Sequence, residues 1–315
     1  MDYQLTPQSL DSFIGQPLII ENLKIYIQAA LGQQRMMDHL LFMGPSGLGK
    51  TTLSQIIANE FNVSLKIINA ATIENTTQLA HIFSNINAGD IVLLDEIHAL
   101  NGKCEEFLYP ILQDYRLDFI IQYANQSKVI NLHLPPFTLI GATTKPYQIS
   151  TPLLNRFPIQ FTFQPYALND IESIIRHNGK QLGLNFDDVA CTMLAYVSRL
   201  TPRLINAHLK RLLDYQYVYQ NEMIDVTFLN RYIAKQGITA KGLTKTDVHY
   251  LNYLANERTS KGLASIALSL NMDPSIIVDQ IEPYLLRIGY IELTKSGRKL
   301  TQLALKDKDE WEIFV

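Results

Sequence analysis

Eight consecutive residues carry the chemistry that is easiest to identify in this sequence, because they match the pattern G-x-x-x-x-G-K-[ST]. They are Gly44, Pro45, Ser46, Gly47, Leu48, Gly49, Lys50 and Thr51. Gly47 and Gly49 let backbone amides approach a phosphate closely, Lys50 reaches the terminal phosphates, and the Thr51 hydroxyl can ligate magnesium. An apolar run precedes the pattern and helical spacing follows it, so it predicts a nucleotide-phosphate site and not a glycine-rich turn with a surface lysine.

An acidic pair, Asp95 and Glu96, follows the apolar run 91–94, which predicts a buried strand. Side chains at the carboxyl ends of such strands face the ligand in doubly wound nucleotide-binding folds. Asp95 is expected to join the magnesium shell, and Glu96 to orient or deprotonate the attacking water. By itself such a pair is often only a solvated strand end, but downstream of a phosphate loop it predicts hydrolysis of ATP with Mg²⁺.

These groups need a sheet to position them, and the sequence predicts one. Apolar runs at 40–43, 65–68, 91–94, 137–142 and 159–163 are typical of buried strands. One strand candidate separates the phosphate loop from the acidic pair. This order fits the branch of ATPases that has an added central strand.

Length and composition limit the class of protein. The chain has 315 residues, of which 47% are hydrophobic and 18% charged, so it is expected to be globular with two or three domains. A net charge of −3 gives no global electrostatic case for nucleic-acid binding. The sequence lacks a run long enough to span a bilayer and a signal-peptide pattern, so a cytoplasmic location and no membrane partner are expected. Isolated Cys104 and Cys191 indicate buried or half-buried thiols and neither a disulfide framework nor a zinc site.

Residues 116–134 alternate apolar and polar side chains with period two, which predicts a β-hairpin inserted between two core strands. Such a hairpin is either an exposed arm that binds a partner or a simple extension of the sheet. The sequence leaves both interpretations open.

The character of the sequence becomes helical after residue 166. Asn169 with Glu172 predicts a capping box at the first helix start. Thr201 followed by Pro202 predicts a later helix start that turns Arg203 outward. Residues 241–315 predict three short helices and a hairpin. This is a winged-helix pattern, which occurs in DNA readers and in protein-contact modules.

Several stretches together resemble the RuvB family of AAA+ motors, which drive branch migration of Holliday junctions. The resemblance covers nearly the whole chain and is carried by 13–16, the phosphate loop, 94–98, 108–110, 134–144, 201–203 and 282–285. It implies an α/β P-loop AAA+ core over 1–166, a helical lid domain over 167–240 and a winged-helix DNA-binding domain over 241–315.

The resemblance also assigns roles to residues beyond the two motifs. Thr144 is expected to sense the γ-phosphate, Arg156 to act as an arginine finger in the neighbouring subunit's site, and Arg203 to be a second sensor. The further residues expected to contact the nucleotide are Leu5, Thr6, Ile14, Gly15, Thr52, Gln113, Asp114, Tyr115 and Tyr166.

Partners follow from the same resemblance. A hexameric homo-oligomeric ring is expected to act on double-stranded DNA at Holliday junctions, in recombination and repair. The hairpin 116–134 is expected to bind a RuvA-like junction protein, and Lys295 and Arg298 of the wing to contact DNA. Leu293 and Ser296 stand where the family has arginines in the wing, which weakens the expected DNA contact per subunit.

The chain departs from the family pattern near the nucleotide as well, with Thr6, Ser46, Lys145 and Leu154 at positions that usually hold other residues. Two other functions stay open on the sequence alone. One is a nucleotide-gated DNA-binding switch resembling replication initiators. The other is a clamp-loader-like or protein-remodelling ATPase whose last domain contacts only protein.

Overall fold

The computed structural model of the chain describes residues 5–123, 126–220, 222–257 and 259–311. The chain divides into two compact units, Met1–Tyr166 and Ala167–Val315. None of the helices within the described ranges has both the length and the apolar character needed to cross a bilayer.

The first unit alternates strands and helices. Its strands are β1 (Leu40–Met43), β2 (Leu65–Asn69), β3 (Ile91–Asp95), β4 (Arg116–Tyr123), β5 (Gln126–His133), β6 (Thr138–Thr143) and β7 (Ile159–Thr162). Its α-helices are α1 (Pro17–Gly32), α2 (Lys50–Glu60), α3 (Thr76–Ser84), α4 (Gly102–Asp114) and α5 (Thr151–Leu154). The five strands expected from apolar runs are all present.

Five parallel strands form the central sheet in the order β2-β3-β6-β1-β7. Strand β6 lies between β1 and β3, so the predicted added central strand is confirmed. All six residues of β6 are buried, as are the first four of β3, because helices cover both faces of a parallel sheet. The carboxyl ends of β1, β3 and β6 therefore meet at one edge, and the phosphate loop and the acidic pair follow directly there.

The hairpin of β4 and β5 forms a separate two-stranded antiparallel sheet, with Arg116 opposite His133. It does not extend the five-stranded sheet, so the interpretation as a simple sheet extension is wrong. Leu117 and Leu134 at its base are buried in the core of the first unit. The turn residues 124–125 lie outside the described residues.

A buried histidine connects the strand before the phosphate loop to its neighbours. His39 precedes β1 and is 5% exposed. Its Nδ1 accepts a hydrogen bond of 2.9 Å from the Leu139 amide, and its Nε2 lies 3.1 Å from the Leu112 carbonyl oxygen. Both contacts suit the neutral ring with its proton on Nε2. Burial lowers the pKa of His39 from 6.5 to about 4, so the ring stays neutral in the folded protein at pH 7.

We expect acid to destabilise the first unit through His39. The folded pKa lies below the unfolded value, so this stabilisation is complete above pH 6.5 and is lost as the pH falls toward 4. Between pH 7.5 and pH 5 the loss amounts to about 2 kcal/mol. Thermal denaturation followed by circular dichroism at the two pH values checks this, with His39→Gln as the control. The control should lose less stability on acidification, and an equal loss in both proteins would contradict the assignment.

The second unit is helical apart from one hairpin. Its first helices are α6 (Leu168–Gln181), α7 (Asp188–Val197), α8 (Pro202–Tyr219) and α9 (Val226–Gln236). They are followed by α10 (Lys245–Ala255), α11 (Leu263–Leu270), α12 (Pro274–Ile276), a π-helical turn (Ile277–Ile281) and α13 (Glu282–Arg287). The hairpin is β8 (Ile291–Thr294) with β9 (Gly297–Leu300), and α14 (Gln302–Lys306) and α15 (Lys308–Trp311) come last.

The capping box predicted at Asn169 and Glu172 is wrong. Helix α6 begins at Leu168 with Ala167 before it, and no side chain caps that end. Glu172 instead accepts a hydrogen bond from Thr192 of α7. By contrast, the capping box of Thr244 and Asp247 at the start of α10 is present.

The winged-helix part has its own buried core, in which the side chains of α10, α11 and α13 pack together. The third predicted helix of this part starts at Pro274 and is interrupted by the π-helical turn before it continues as α13. Two helices not predicted from the sequence close this core. Trp311 of α15 is fully buried, and its indole donates a 3.0 Å hydrogen bond to the carbonyl of Ala304.

Arg199, after α7, joins the lid helices to the winged-helix part. Its Nε donates to the Gly242 carbonyl at 2.8 Å, and its guanidinium pairs with the buried Asp247. The same guanidinium lies 4.5 Å from the centroid of the Tyr284 ring. A φ of 52° at Arg199 directs the chain into this contact. The lid and the winged helix are thus connected by charge and packing as well as by the chain.

Candidate nucleotide site

The phosphate loop lies between β1 and α2 at the carboxyl edge of the sheet. Gly49 has a φ of 106°, and a Cβ there would lie 2.9 Å from the Phe13 ring, so glycine is required. Lys50 begins α2 and is 7% exposed. Its Nζ donates to the carbonyl oxygens of Gly44 at 2.7 Å and Pro45 at 2.9 Å. A buried cation and the positive end of a helix therefore coincide, which is the arrangement that binds phosphate.

A segment ahead of α1 closes one side of the loop. Gly15 has a φ of 82°, and a Cβ there would lie 2.5 Å from the Tyr166 ring. The Tyr166 hydroxyl donates to the Leu48 carbonyl at 3.2 Å. The Gln16 side chain donates to the Gln164 carbonyl at 2.7 Å and accepts from its amide at 3.0 Å. The structure thus brings Gly15 and Tyr166 to the phosphate loop.

The earliest described residues continue this segment. Leu5 is buried, Ile14 is half-buried and Thr6 is exposed. The Gln8 side chain donates to the Thr6 carbonyl at 3.0 Å, and Asn59 of α2 donates to the Gln8 carbonyl at 3.2 Å. The segment is therefore held beside the helix that starts at the phosphate loop.

The acidic pair lies at the end of β3, and Thr144, the residue after β6, donates a hydrogen bond to it. The Glu96 amide donates to Asp95 at 3.0 Å, and Glu96 has the left-handed φ of 51°, which turns its side chain out of the strand direction. The Glu96 Oε2 accepts a 2.9 Å hydrogen bond from the Thr144 hydroxyl. Thr144 directly follows β6, so the central strand places the candidate sensor against the candidate base.

His98 belongs to the same group, although sequence reasoning assigned no role to it. Its Nδ1 lies 3.2 Å from the Glu96 Oε2 and 3.0 Å from the Thr143 hydroxyl. Its side chain is 12% exposed. The signal available in the sequence was its position two residues after Glu96. An imidazole at this distance fixes where the Glu96 carboxylate points.

Thr51 and Thr52 occupy the first turn of α2, and Asp95 ends β3. A hydroxyl and a carboxylate oxygen are the hard donors that Mg²⁺ prefers, and Mg²⁺ commonly takes its remaining ligands from water and substrate phosphates. The described residues contain no group of three histidine, cysteine or acidic side chains that could hold a metal by themselves. The donor set therefore fits a magnesium ion that arrives with a nucleotide.

Other candidate residues lie away from this edge. Arg156 comes three residues before Ile159, which pairs with Leu40 at the beginning of β1, whereas the phosphate loop follows the end of β1. The structure therefore does not bring Arg156 to the phosphate loop of its own chain. Tyr115 also lies away from this loop. Its ring packs on the His39 ring with centroids 5.8 Å apart, and burial raises the pKa of the Tyr115 hydroxyl.

The same holds for the segment Gln113, Asp114 and Tyr115 at the end of α4. Gln113 and Asp114 are exposed, and Tyr115 packs at the beginning of β1. The structure therefore does not bring these residues to the phosphate loop of their own chain. Arg203 lies exposed in the first turn of α8 in the second unit.

The wing presents less free charge than its sequence suggests. The Arg298 guanidinium pairs with Glu282 through two hydrogen bonds of 2.8 and 3.2 Å. The Glu282 side chain is 4% exposed and also accepts a 2.8 Å bond from the Tyr250 hydroxyl. A guanidinium held by a buried carboxylate stabilises the domain and is unavailable to a phosphate while the pair persists. Lys295 at the turn is exposed.

Family models match three consecutive segments of the chain. The Holliday junction DNA helicase RuvB P-loop domain matches residues 5–163, the RuvB AAA lid domain 166–239 and the RuvB C-terminal winged-helix domain 240–307. These matches together span almost the whole described chain.

Individual proteins show the same similarity. The Holliday junction branch migration complex subunit RuvB of Campylobacter curvus is 41% identical over 94% of this chain and 88% of its own length. The protein of the same name from Acholeplasma laidlawii is 40% identical over 96% of this chain and 90% of its own. The solved Thermotoga maritima RuvB Holliday junction branch migration motor superimposes with a TM-score of 0.86 at 32% identity, covering 97% of this chain and 98% of that one. With a phosphate loop, an acidic pair and a central sensor strand in one site, this chain belongs to the RuvB family of AAA+ proteins.

Proposed function

We propose that this chain is the ATP-hydrolysing motor subunit of a Holliday junction branch migration complex, acting in recombination and repair. The observation that carries the proposal is the group formed by Glu96, Thr144 and His98 at the edge where the phosphate loop lies. A nucleotide-binding module that only binds has no need for a carboxylate oriented by two side chains at that point.

Nucleotide binding begins at the loop. Lys50 gives up its hydrogen bonds to the Gly44 and Pro45 carbonyl oxygens and donates to phosphate oxygens instead, because these carry a formal negative charge. The amides of the loop and of the first turn of α2 donate to the same phosphates. Thr51 and Asp95 would hold Mg²⁺, which would neutralise charge on the phosphates.

Hydrolysis then depends on a change of partner at Thr144. In the structure its hydroxyl donates to Glu96 at 2.9 Å. When Thr144 turns to the γ-phosphate, the Glu96 carboxylate loses one donor and becomes a better acceptor for the proton of the attacking water. His98 holds the Glu96 carboxylate in its orientation while Thr144 turns to the γ-phosphate. The base is therefore restrained until a nucleotide is present.

The site is incomplete in one subunit, which supports assembly into a ring with six members. Arg156 lies away from its own phosphate loop and supplies positive charge to the neighbouring subunit's nucleotide, where Gln113, Asp114 and Tyr115 also make contact. Arg203 senses the nucleotide from the lid. The contact of Arg199 with Asp247 and Tyr284 transmits movement of the lid to the winged helix.

Partners and location complete the proposal. The hairpin of β4 and β5 stands apart from the central sheet and binds a RuvA-like junction protein. The wing contacts double-stranded DNA through Lys295, and Arg298 binds the phosphate backbone only when its pair with Glu282 opens. The three-part division at 166/167 and 240/241 separates core, lid and DNA-binding domains. The assembly works in the cytoplasm.

ATP-dependent migration of a synthetic four-way junction tests the function, with and without the cognate RuvA-like protein. We expect migration that requires ATP, and we expect Lys50→Ala to abolish both turnover and migration because no other cation replaces it on the terminal phosphates. ATP hydrolysis without migration, even with the partner present, would contradict the proposal.

A second candidate, a protein-remodelling ATPase, is favoured by one observation. Between Gly262 and Leu286 the sequence contains no lysine or arginine, and Arg287 at the end of α13 is the one basic residue of α12 and α13, the region where a winged helix usually reads DNA. Few basic side chains besides those of the wing are then placed to contact DNA. Turnover that junction DNA fails to stimulate would favour this alternative.

A further inference from the structure

Arg156 rests on an aromatic ring in the first unit. Its guanidinium carbon lies 4.0 Å from the centroid of the Tyr109 ring, within the range of a cation–π contact. Its Nη1 donates to the Pro152 carbonyl at 2.5 Å. Its Nε is buried and has no hydrogen-bond partner among the described residues. The Tyr109 ring is therefore one of the main contacts that hold the Arg156 guanidinium in place.

Tyr109 is itself fixed in place. Its hydroxyl donates to Glu105, one turn earlier on α4, at 3.2 Å and lies 3.3 Å from the Ser150 hydroxyl. Ser150 also donates to Glu105 and caps α5 by accepting from the Leu153 amide at 3.3 Å. These contacts join α4 to the short helix that ends just before Arg156.

An aromatic support has a chemical advantage over an acidic one for an arginine that must act on phosphate. A carboxylate would occupy the guanidinium N–H groups in a bidentate pair, as Glu282 does with Arg298. A ring attracts the charge through its face and leaves the edge of the guanidinium open to donate. The ring also limits the rotamers of the arginine side chain, so less conformational entropy is lost when the guanidinium binds phosphate.

We propose that Tyr109 is a positioning residue for Arg156. Its ring holds the guanidinium in the orientation needed to reach the neighbouring subunit's nucleotide, and Glu105 with Ser150 holds the ring. This inference rests on the proposed function, because Arg156 acts on phosphate only if subunits assemble around a shared site.

Two substitutions separate the ring from the hydroxyl. Tyr109→Leu removes the ring, and we expect it to lower kcat for ATP about threefold to tenfold while KM for ATP is unchanged. Tyr109→Phe keeps the ring and loses the hydroxyl, and we expect kcat within about twofold of the wild type. Thermal midpoints are recorded for both proteins. Should Tyr109→Leu fail to fold, Tyr109→Met gives the same comparison.

A double-mutant cycle distinguishes positioning from general packing. In an Arg156→Ala background there is no guanidinium to hold, so adding Tyr109→Leu should leave the residual turnover, measured with radiolabelled ATP, unchanged. A further loss of the same factor in that background, or equal losses for the Phe and Leu variants, would overturn the proposal. If Arg156→Ala alone retains normal turnover, the arginine finger itself fails, which is a separate result.

Discussion

Replacing Glu96 by glutamine is expected to give a protein that binds ATP but hydrolyses it about a hundredfold or more slowly. Glutamine keeps an oxygen that can accept the Thr144 hydroxyl, which donates to Glu96 at 2.9 Å in the structure, so the local geometry should survive. An amide cannot take a proton from water at neutral pH. The variant should therefore remain assembled with ATP bound, in a stalled state.

Two measurements check this result. Steady-state hydrolysis gives the loss of turnover, and titration with a fluorescent ATP analogue gives the affinity, which should stay near that of the wild type. Glu60→Gln is the matched control, because Glu60 is an exposed acid at the far end of α2. Turnover by Glu96→Gln at the rate of this control would show that Glu96 is not the base.

The central sheet was predictable because a parallel strand buried on both faces appears in the sequence as an apolar run. Strands β1, β3 and β6 are four to six residues long and almost wholly buried. The added central strand was also predictable, because the phosphate loop and the acidic pair together identify the ATPase branch that has it. The position of both motifs at one edge then follows from parallel geometry.

Pairings between distant residues were not predictable from local patterns. Arg298 appears in the sequence as a wing charge available for DNA, yet the fold brings it to Glu282, sixteen residues earlier. His39 looks like an isolated polar residue before a strand, and its two backbone contacts are 73 and 100 residues away. Such contacts depend on packing that periodicity does not encode.

The failed capping box has a different cause. Asn169 and Glu172 have the right spacing, but Leu168 already belongs to the helix, and Glu172 is engaged by Thr192 of α7. Short capping patterns recur by chance inside helices, and boundaries are the least certain part of a sequence-based assignment. At Thr244 the same kind of pattern does form a capping box, because the Asp247 carboxylate accepts a hydrogen bond from the Thr244 amide at 2.7 Å.

Mixing two inactive variants should restore ATP hydrolysis if Arg156 acts across a subunit boundary. Arg156→Ala alone is expected to lose roughly a thousandfold in turnover, the usual worth of an arginine finger. Lys50→Ala alone should be inactive because its own loop cannot hold the terminal phosphates. In a mixed ring, an intact loop from the first variant can adjoin an intact Arg156 from the second.

For equal amounts and random head-to-tail assembly, half of the sites have an intact loop and half of those receive an intact arginine, so about one quarter of wild-type turnover should return. A tagged and an untagged wild-type protein, mixed under the same conditions and purified through the tag, show whether subunits exchange. If they exchange and the two variants still give no recovery, Arg156 does not act in trans. Since Arg156 lies near the beginning of β7 and the phosphate loop at the end of β1, action within one chain would then require a rearrangement of the first unit itself.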